Sequence, residues 1–475
     1  MKKGVLVTLA VLLCLLCACT PAAPQETTVP TESTAPAETQ VQWQPFTGKK
    51  ADYVFLHSRE RDRKWEEDIL YMADSYLSDY ALLTHFPSRI EWPEDVEYSD
   101  CFYDPVFREG FLAEVNEMIR DIPDLTDAEL LWRIQKLVAT FGDAHASIYL
   151  PDTDYFPICF KPFFTEEDFS VHAVILPDSY ETQLLWELDQ INGFTIGEIV
   201  ELLRPYVSYE NETYLINRIF DMDGAYVMRE DILKIVGILP EDSDTLDFRF
   251  LAPYGGVATI SLEALSEPQL RKVKYVGHPP EYAYSLMYSD RDGRNYWFQH
   301  MPENDMLYIR INEFAEHYDY SFLTMGNELL KTYREAGGVG KLVVDLRDNP
   351  GGYQFQGYYE FVTVLKRMEP DSVYVLIDGN SFSSAIVMAS AIRRSIPETV
   401  FVGTPAGQPA NFFAGMWDGD YVMPNCGVTL RLPTAWYYNL PEDENDALMP
   451  DLPVYPKLVD YANCVDTVLE AVKWK

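Results

Sequence analysis

Two stretches in the last third of the chain bring together residue types suited to acyl transfer. In the first, the apolar run Lys341 to Leu346 ends in Arg347-Asp-Asn-Pro-Gly-Gly352. Such a run, bounded by turn residues, reads as a buried strand. Gly351 and Gly352 can let bare amides approach a substrate oxygen closely, as an oxyanion hole requires. An ordinary tight turn has the same composition. In the second stretch, Val373 to Ile377 ends in Asp378-Gly-Asn-Ser-Phe-Ser-Ser-Ala385, and a helical pattern starts at once. A serine there could simply cap the helix. It is also well placed for a nucleophile, because the free amides and positive dipole end of the helix stabilise a developing oxyanion. The pattern is not Gly-x-Ser-x-Gly, so it does not indicate an α/β-hydrolase elbow.

A serine nucleophile needs a base. Of the seven histidines, His145 has the most telling setting. Thr126-Asp-Ala-Glu129 is a capping box, and Leu130, Ile134, Leu137, Val138 and Phe141 fall on one helical face. Gly142 suits the end of that helix. Asp143-Ala-His-Ala146 follows, and Ser147 to Leu150 reads as a strand. His145 therefore lies on a helix-to-strand turn, and a histidine titrates near neutrality, as a general base should. His317, just after the strand-like run 307–312, is the rival. Asp143 could orient the histidine locally. Glu442, with Asp443, Glu444 and Asp446, offers a second group of carboxylates, although such a cluster also reads as a solvated loop.

These residues must be held by a regular frame, and the last third supplies the pattern for one. Strand-like runs 307–312, 341–346, 373–377 and 399–402 alternate with helical runs 322–335, 355–368 and 384–394, which implies a mostly parallel, buried sheet. Ligands favour the C-terminal edge of such sheets, where both loops lie. Residues 46–155 read as a helical region carrying His145, residues 156–285 as a β-rich module, and residues 286–475 as the α/β core. Within the middle region, Ile191-Asn-Gly193 leads into the amphipathic run 195–203.

The beginning of the chain has another character. Lys2 and Lys3 precede an apolar run, Val5 to Leu16, that is short for a membrane span. Residues 19–45 are rich in Thr, Pro, Ala and Glu and read as a disordered tether. The 475 residues carry 37 basic and 75 acidic side chains, a net charge of −38. That balance argues against nucleic acid as a partner, since phosphates must be met by a basic surface. Cys101, Cys159, Cys426 and Cys464 match no metal motif; they could form disulfides in any of three connectivities, or be four small buried residues, the slightly favoured reading. No nucleotide loop or zinc motif is present, so neither metal nor cofactor is expected.

Taken together, the Lys341–Gly352 stretch and the Ser-Phe-Ser-Ser segment resemble the C-terminal processing (tail-specific) serine peptidase family. Val402-Gly-Thr-Pro-Ala-Gly-Gln-Pro409 and Pro450-Asp-Leu-Pro-Val454 are similar to later landmarks of that family. The resemblance implies a crotonase-like (ββα-superhelix) core, a PDZ-like module around Ile191-Asn-Gly193, and Ser383 as nucleophile. It also implies an oxyanion hole from the amides of Ser384 and of Gly351 or Gly352. Many members use a lysine downstream of the serine as base. Here no lysine occurs between Lys366 and Lys457, and Gln408 stands near the expected place. Phe141-Gly-Asp-Ala-His-Ala-Ser147 instead resembles the histidine segment of the tricorn-core-like Ser–His branch, which makes His145 the base. That branch takes its third residue, a glutamate, from the region after the nucleophile, where Glu442, Asp443, Glu444 and Asp446 lie; Asp143 stays the local alternative.

Leu16-Cys-Ala-Cys19 resembles the lipobox of bacterial lipoproteins. It implies removal of residues 1–18 and lipidation of Cys19, hence an extracytoplasmic enzyme anchored to the bacterial cell membrane. The expected function is cleavage of peptides or proteins. The alternative is an inactive binding lipoprotein of the same fold, for which the missing lysine and the 32 tyrosines and 9 tryptophans speak. Oligomeric state is not legible.

Overall fold

A computed structural model describes residues 55–80, 83, 104–221, 225–278, 294–315, 320–353, 358–414 and 421–474. The apolar N-terminal run, Cys19, the tether, Cys101 and His317 lie outside the described residues. The described residues all belong to one compact unit within Trp43–Lys475. Among them, no helix is long and apolar enough to cross a membrane.

The frame is a six-stranded sheet ordered Leu452–Pro453, Val400–Gly403, Ser372–Ile377, Lys341–Asp345, Met306–Ile311, Tyr296–Met301. All neighbours are parallel except the last pair. The strands are buried on both faces, which explains their near-continuous apolar sequence. Alternate residues serve alternate faces. Leu307, Ile309, Leu342, Val344, Val373 and Val375 pack under the helices Phe322–Glu335, Tyr358–Met368 and Ser384–Ser395. Tyr308, Val343, Tyr374 and Val402 face the C-terminal helix Thr467–Lys473 through Val468, Leu469 and Val472. The fold is thus mixed α/β with several sheets.

A second sheet, largely antiparallel, runs Cys159–Phe164, Phe169–Pro177, Glu187–Ile191, Thr245–Leu251, Val257–Glu263. Its core takes in the helices Ile196–Leu203 and Glu212–Phe220.

A third core joins the helices Glu60–Asp79, Pro105–Asp121 and Asp127–Ala139 to Met423, Val428, Leu430 and Leu432 from late in the chain. Asp68, buried in the first helix, accepts the Asn425 and Cys426 amides, each at 2.8 Å, and so pins the late segment there. Ser147–Ile148 then pairs antiparallel with Leu430–Arg431. The short strand that follows His145 is therefore fixed to residues nearly 300 positions away.

The three described cysteines, Cys159, Cys426 and Cys464, are free, and Cys426 and Cys464 are exposed. This corrects the expectation of small buried residues.

Candidate active site

Ser383 lies at the junction of the strand Ser372–Ile377 and the helix Ser384–Ser395. It has φ +54° and ψ −120°, and its side chain makes no cap hydrogen bond to that helix. A non-glycine residue with such backbone angles costs on the order of 1–3 kcal/mol and persists only where its surroundings enforce it. The enforcement is visible. Phe382 N–H donates to Asn349 O at 2.9 Å, and Ser381 Oγ–H donates to Leu346 O at 2.8 Å. Ser384 Oγ–H donates to Gly352 O at 2.6 Å. The serine loop and the glycine loop are thus laced together. The turn is strained as in a nucleophile elbow, although its sequence lacks that pattern.

Ser383 Oγ lies 3.1 Å from His145 Nε2. The ring is stacked between Phe382, with centroids 4.5 Å apart, and Phe412, at 5.5 Å and nearly parallel. The turn carrying it is set by Asp143, whose Oδ1 accepts His145 N–H at 2.9 Å and whose Oδ2 accepts the Tyr80 hydroxyl at 3.2 Å. Asp143 thus shapes the backbone of the turn; its carboxylate serves the histidine's amide.

The partner of His145 Nδ1 is Gln408, whose Nε2 lies 2.9 Å away. The same Nε2 donates to Glu210 Oε1 at 3.1 Å, while Gln408 Oε1 accepts Ser383 N–H at 2.9 Å. Glu210 arrives from the second module, just before the helix Glu212–Phe220. Its neighbour Asn211 caps that helix and donates to Ala406 O and Asp446 O, each at 3.1 Å. Glu442 is exposed and is not brought to the histidine; the loop that carries it is tied at its start to Asn411, which donates to Leu440 O at 2.7 Å and accepts Leu440 N–H at 3.0 Å.

The electrostatics are unusual. Burial, aided by the nearby Arg431, holds His145 well below its ordinary value, so its neutral form is favoured. Burial pushes Asp143 up to about 7. Burial and the facing Asp143 push Glu210 well above the usual carboxylate range. Asp143, His145 and Glu210 each offer one ligand-capable atom, all within 4.8 Å of one another. Among the described residues they are the group that could hold a metal ion, although the Gln408 amide donates to both His145 and Glu210.

In the glycine loop, Gly351 has φ +98° and Gly352 φ +123°. A Cβ on Gly351 would fall 2.5 Å from Ser383 Cβ, so only glycine fits. Gly351 N–H donates to Asn349 Oδ1 at 2.8 Å, so that amide is already engaged. Beneath the loop, Arg347 is buried against Asp345 and Asp466. Although burial works to raise it, Asp345 is held down to about 2 by Arg347 and Arg310.

Gln408 and Glu210 were not legible as site residues. Gln408 showed only as the occupant of a place where lysine was expected. Glu210 sits in Ser208-Tyr-Glu-Asn-Glu212, where an asparagine cap marks a helix start but nothing links it to Ser383.

With this geometry in view, comparison with known families is informative. Residues 305–369, the strands and loop beneath the serine, match the model of peptidase family S41. This segment is similar to peptidase family S41, and the match covers part of the α/β core. The crystal structure of mature CPAF complexed with lactacystin is similar, with TM-score 0.57 and 11% identity over 88% of this chain and 98% of that one. That of mature CPAF alone gives TM-score 0.55 and 10% identity over 87% and 96%. At such identities the likeness concerns the fold. No curated protein sequence matches the chain.

Proposed function

We propose that this protein cleaves peptide bonds by a Ser383–His145 mechanism, on a crotonase-like core with a PDZ-like module. We further propose that it works outside the cytoplasm, held to the membrane by a lipid on Cys19. The observation that carries the catalytic reading is the 3.1 Å approach of His145 Nε2 to Ser383 Oγ, on a strained turn at a helix start. A serine that merely capped its helix would turn its hydroxyl to the helix amides.

In this mechanism Ser383 Oγ attacks the peptide carbonyl carbon and its proton passes to Nε2. The carbonyl oxygen gains the negative charge and is held by the amides of Ser384 and Gly352; Gly351 shapes the loop. When the intermediate collapses, the C–N bond breaks and Nε2 returns the proton to the leaving amine. Water then attacks the acyl-serine by the same route. Charge in the transition state forms at the helix start, where a fixed dipole favours it.

The test is labelling of the full-length protein with a fluorophosphonate probe beside Ser383→Ala and His145→Ala variants shown to be folded. Labelling lost in both variants is expected. Labelling that survives Ser383→Ala would rule out this nucleophile.

A further inference from the structure

His145 offers one ring nitrogen to Ser383 and the other to Gln408, and the Gln408 amide has only one consistent orientation. Ser383 N–H can only donate, so the amide atom 2.9 Å from it is the carbonyl Oε1. The other end, facing both His145 Nδ1 at 2.9 Å and Glu210 Oε1 at 3.1 Å, is then the NH2 group. An NH2 group donates, so Nδ1 accepts. A neutral imidazole has one proton, which must therefore sit on Nε2. That N–H points at Ser383 Oγ and cannot take its proton. A second proton on the ring is opposed by its burial and by Arg431. Nucleophile and base are thus in contact with the base's proton on the wrong nitrogen.

We propose that Gln408 is a latch holding His145 in this unproductive tautomer, and that Glu210 accepts Nδ1–H once Gln408 withdraws. The proposal rests on the Ser383–His145 reading above. Three observations favour Glu210 as the acceptor. Its Oε1 lies directly behind the Gln408 NH2 group. Its Oε2 is buried and is engaged by no side chain among the described residues; only backbone amides, Ala144's among them, approach the carboxylate. It also shares with His145 and Asp143 a space less than 4.8 Å across, so the gap can close by side-chain motion alone. Asp143 is a poorer acceptor, because Oδ1 holds the His145 amide and Oδ2 the Tyr80 hydroxyl. The bond from Ser383 N–H to Oε1 is what fixes the latch. An event that breaks it, such as substrate seating against the serine loop, frees the amide. Glu210 then acts as a positioning residue: its Oε1, which already accepts from Gln408 and can do so whether or not Oε2 carries a proton, sets which ring nitrogen carries the proton. A wrong tautomer costs on the order of 10⁴-fold in a Ser-His-Asp peptidase, so even partial release should be easily seen.

The experiment combines two readouts on the full-length protein. The first is the second-order rate of fluorophosphonate inactivation for wild type, Gln408→Glu, Gln408→Ala, and Gln408→Ala with Glu210→Gln. In Gln408→Glu one carboxylate oxygen still accepts Ser383 N–H while the other accepts Nδ1–H. The rate should rise at least about tenfold. Gln408→Ala should also react faster, and adding Glu210→Gln should abolish that gain. The second readout is the ¹H–¹⁵N spectrum of ¹⁵N-histidine-labelled protein, which reports the protonated nitrogen without any turnover. The His145 proton should be on Nε2 in wild type and on Nδ1 in Gln408→Glu. A wild-type proton on Nδ1 would overturn the latch, as would slower inactivation of both folded Gln408 variants while wild-type labelling still depends on Ser383. Labelling independent of Ser383 would instead overturn the underlying mechanism, and the latch with it.

Discussion

Replacing Gly351 by alanine tests the claim that the glycine loop and the nucleophile are built against each other. The new methyl meets two independent obstacles. Gly351 sits at φ +98°, where an L-residue costs roughly 1–2 kcal/mol. Its Cβ would also lie 2.5 Å from Ser383 Cβ and 2.9 Å from Phe382 O, and neither neighbour is the free end of a flexible chain. Relieving contacts that short requires the loops to separate by about 1 Å, a displacement that can cost on the order of 10²-fold in rate. Overpacking adds about 1–3 kcal/mol to the loss of stability. Gly255 supplies the control: it has φ +89° and nothing within 4 Å of its Cβ position, so Gly255→Ala suffers the backbone cost alone. The assay is the rate of fluorophosphonate inactivation beside the melting temperature, neither of which requires the natural substrate. Gly351→Ala should lose about 10²-fold in rate and melt below Gly255→Ala, which keeps wild-type reactivity. A Gly351→Ala protein that reacts at the wild-type rate would refute the argument that this contact sets the nucleophile.

Three further outcomes are expected. The acid limb of the inactivation rate should fall below the ordinary histidine range, since burial and Arg431 depress His145 and only the neutral ring is a base; a limb at or above pH 6.5 contradicts this. For Asp143, raised to about 7, the folded state binds more protons than the unfolded state between the usual carboxylate value and pH 7. Stability should therefore fall as pH rises through that window. Asp143→Asn should accordingly gain melting temperature relative to wild type between pH 5 and pH 8, and the opposite trend would reject the assignment. Asp466→Ala should destabilise by about 3–5 kcal/mol in denaturant titration, because it leaves the buried Arg347 short of one of its two carboxylates. A change below about 1 kcal/mol, the range of a surface pair, would contradict it.

The parts of the site that were legible in sequence lie where a strand, a turn and a helix follow one another directly. Ser383 and the Gly351–Gly352 loop end apolar runs, and His145 follows a capped amphipathic helix, so local periodicity alone marks them. The residues on the far side of the histidine follow no such rule. Gln408 and Glu210 come from different elements and meet through tertiary docking, such as that of Asn211 against Ala406 and Asp446. The acidic loop 442–446 drew attention because its charges are dense, but dense charge is itself a reason for a loop to stay in water. Likewise, the amide of Gly351 was an attractive oxyanion donor until Asn349, two residues earlier, proved to occupy it.

The late pinning of residues 421–432 onto the first helices has a consequence for how the chain comes to life. His145 belongs to an early segment, Glu210 to the middle, and Ser383 with Gln408 to the last quarter. The strand that steadies His145 is completed only by Leu430–Arg431. No partial length of the polypeptide therefore owns an active centre. On the Ser383–His145 reading, a chain still being made cannot yet steady His145 beside the serine, because the strand partner of Ser147–Ile148 comes last.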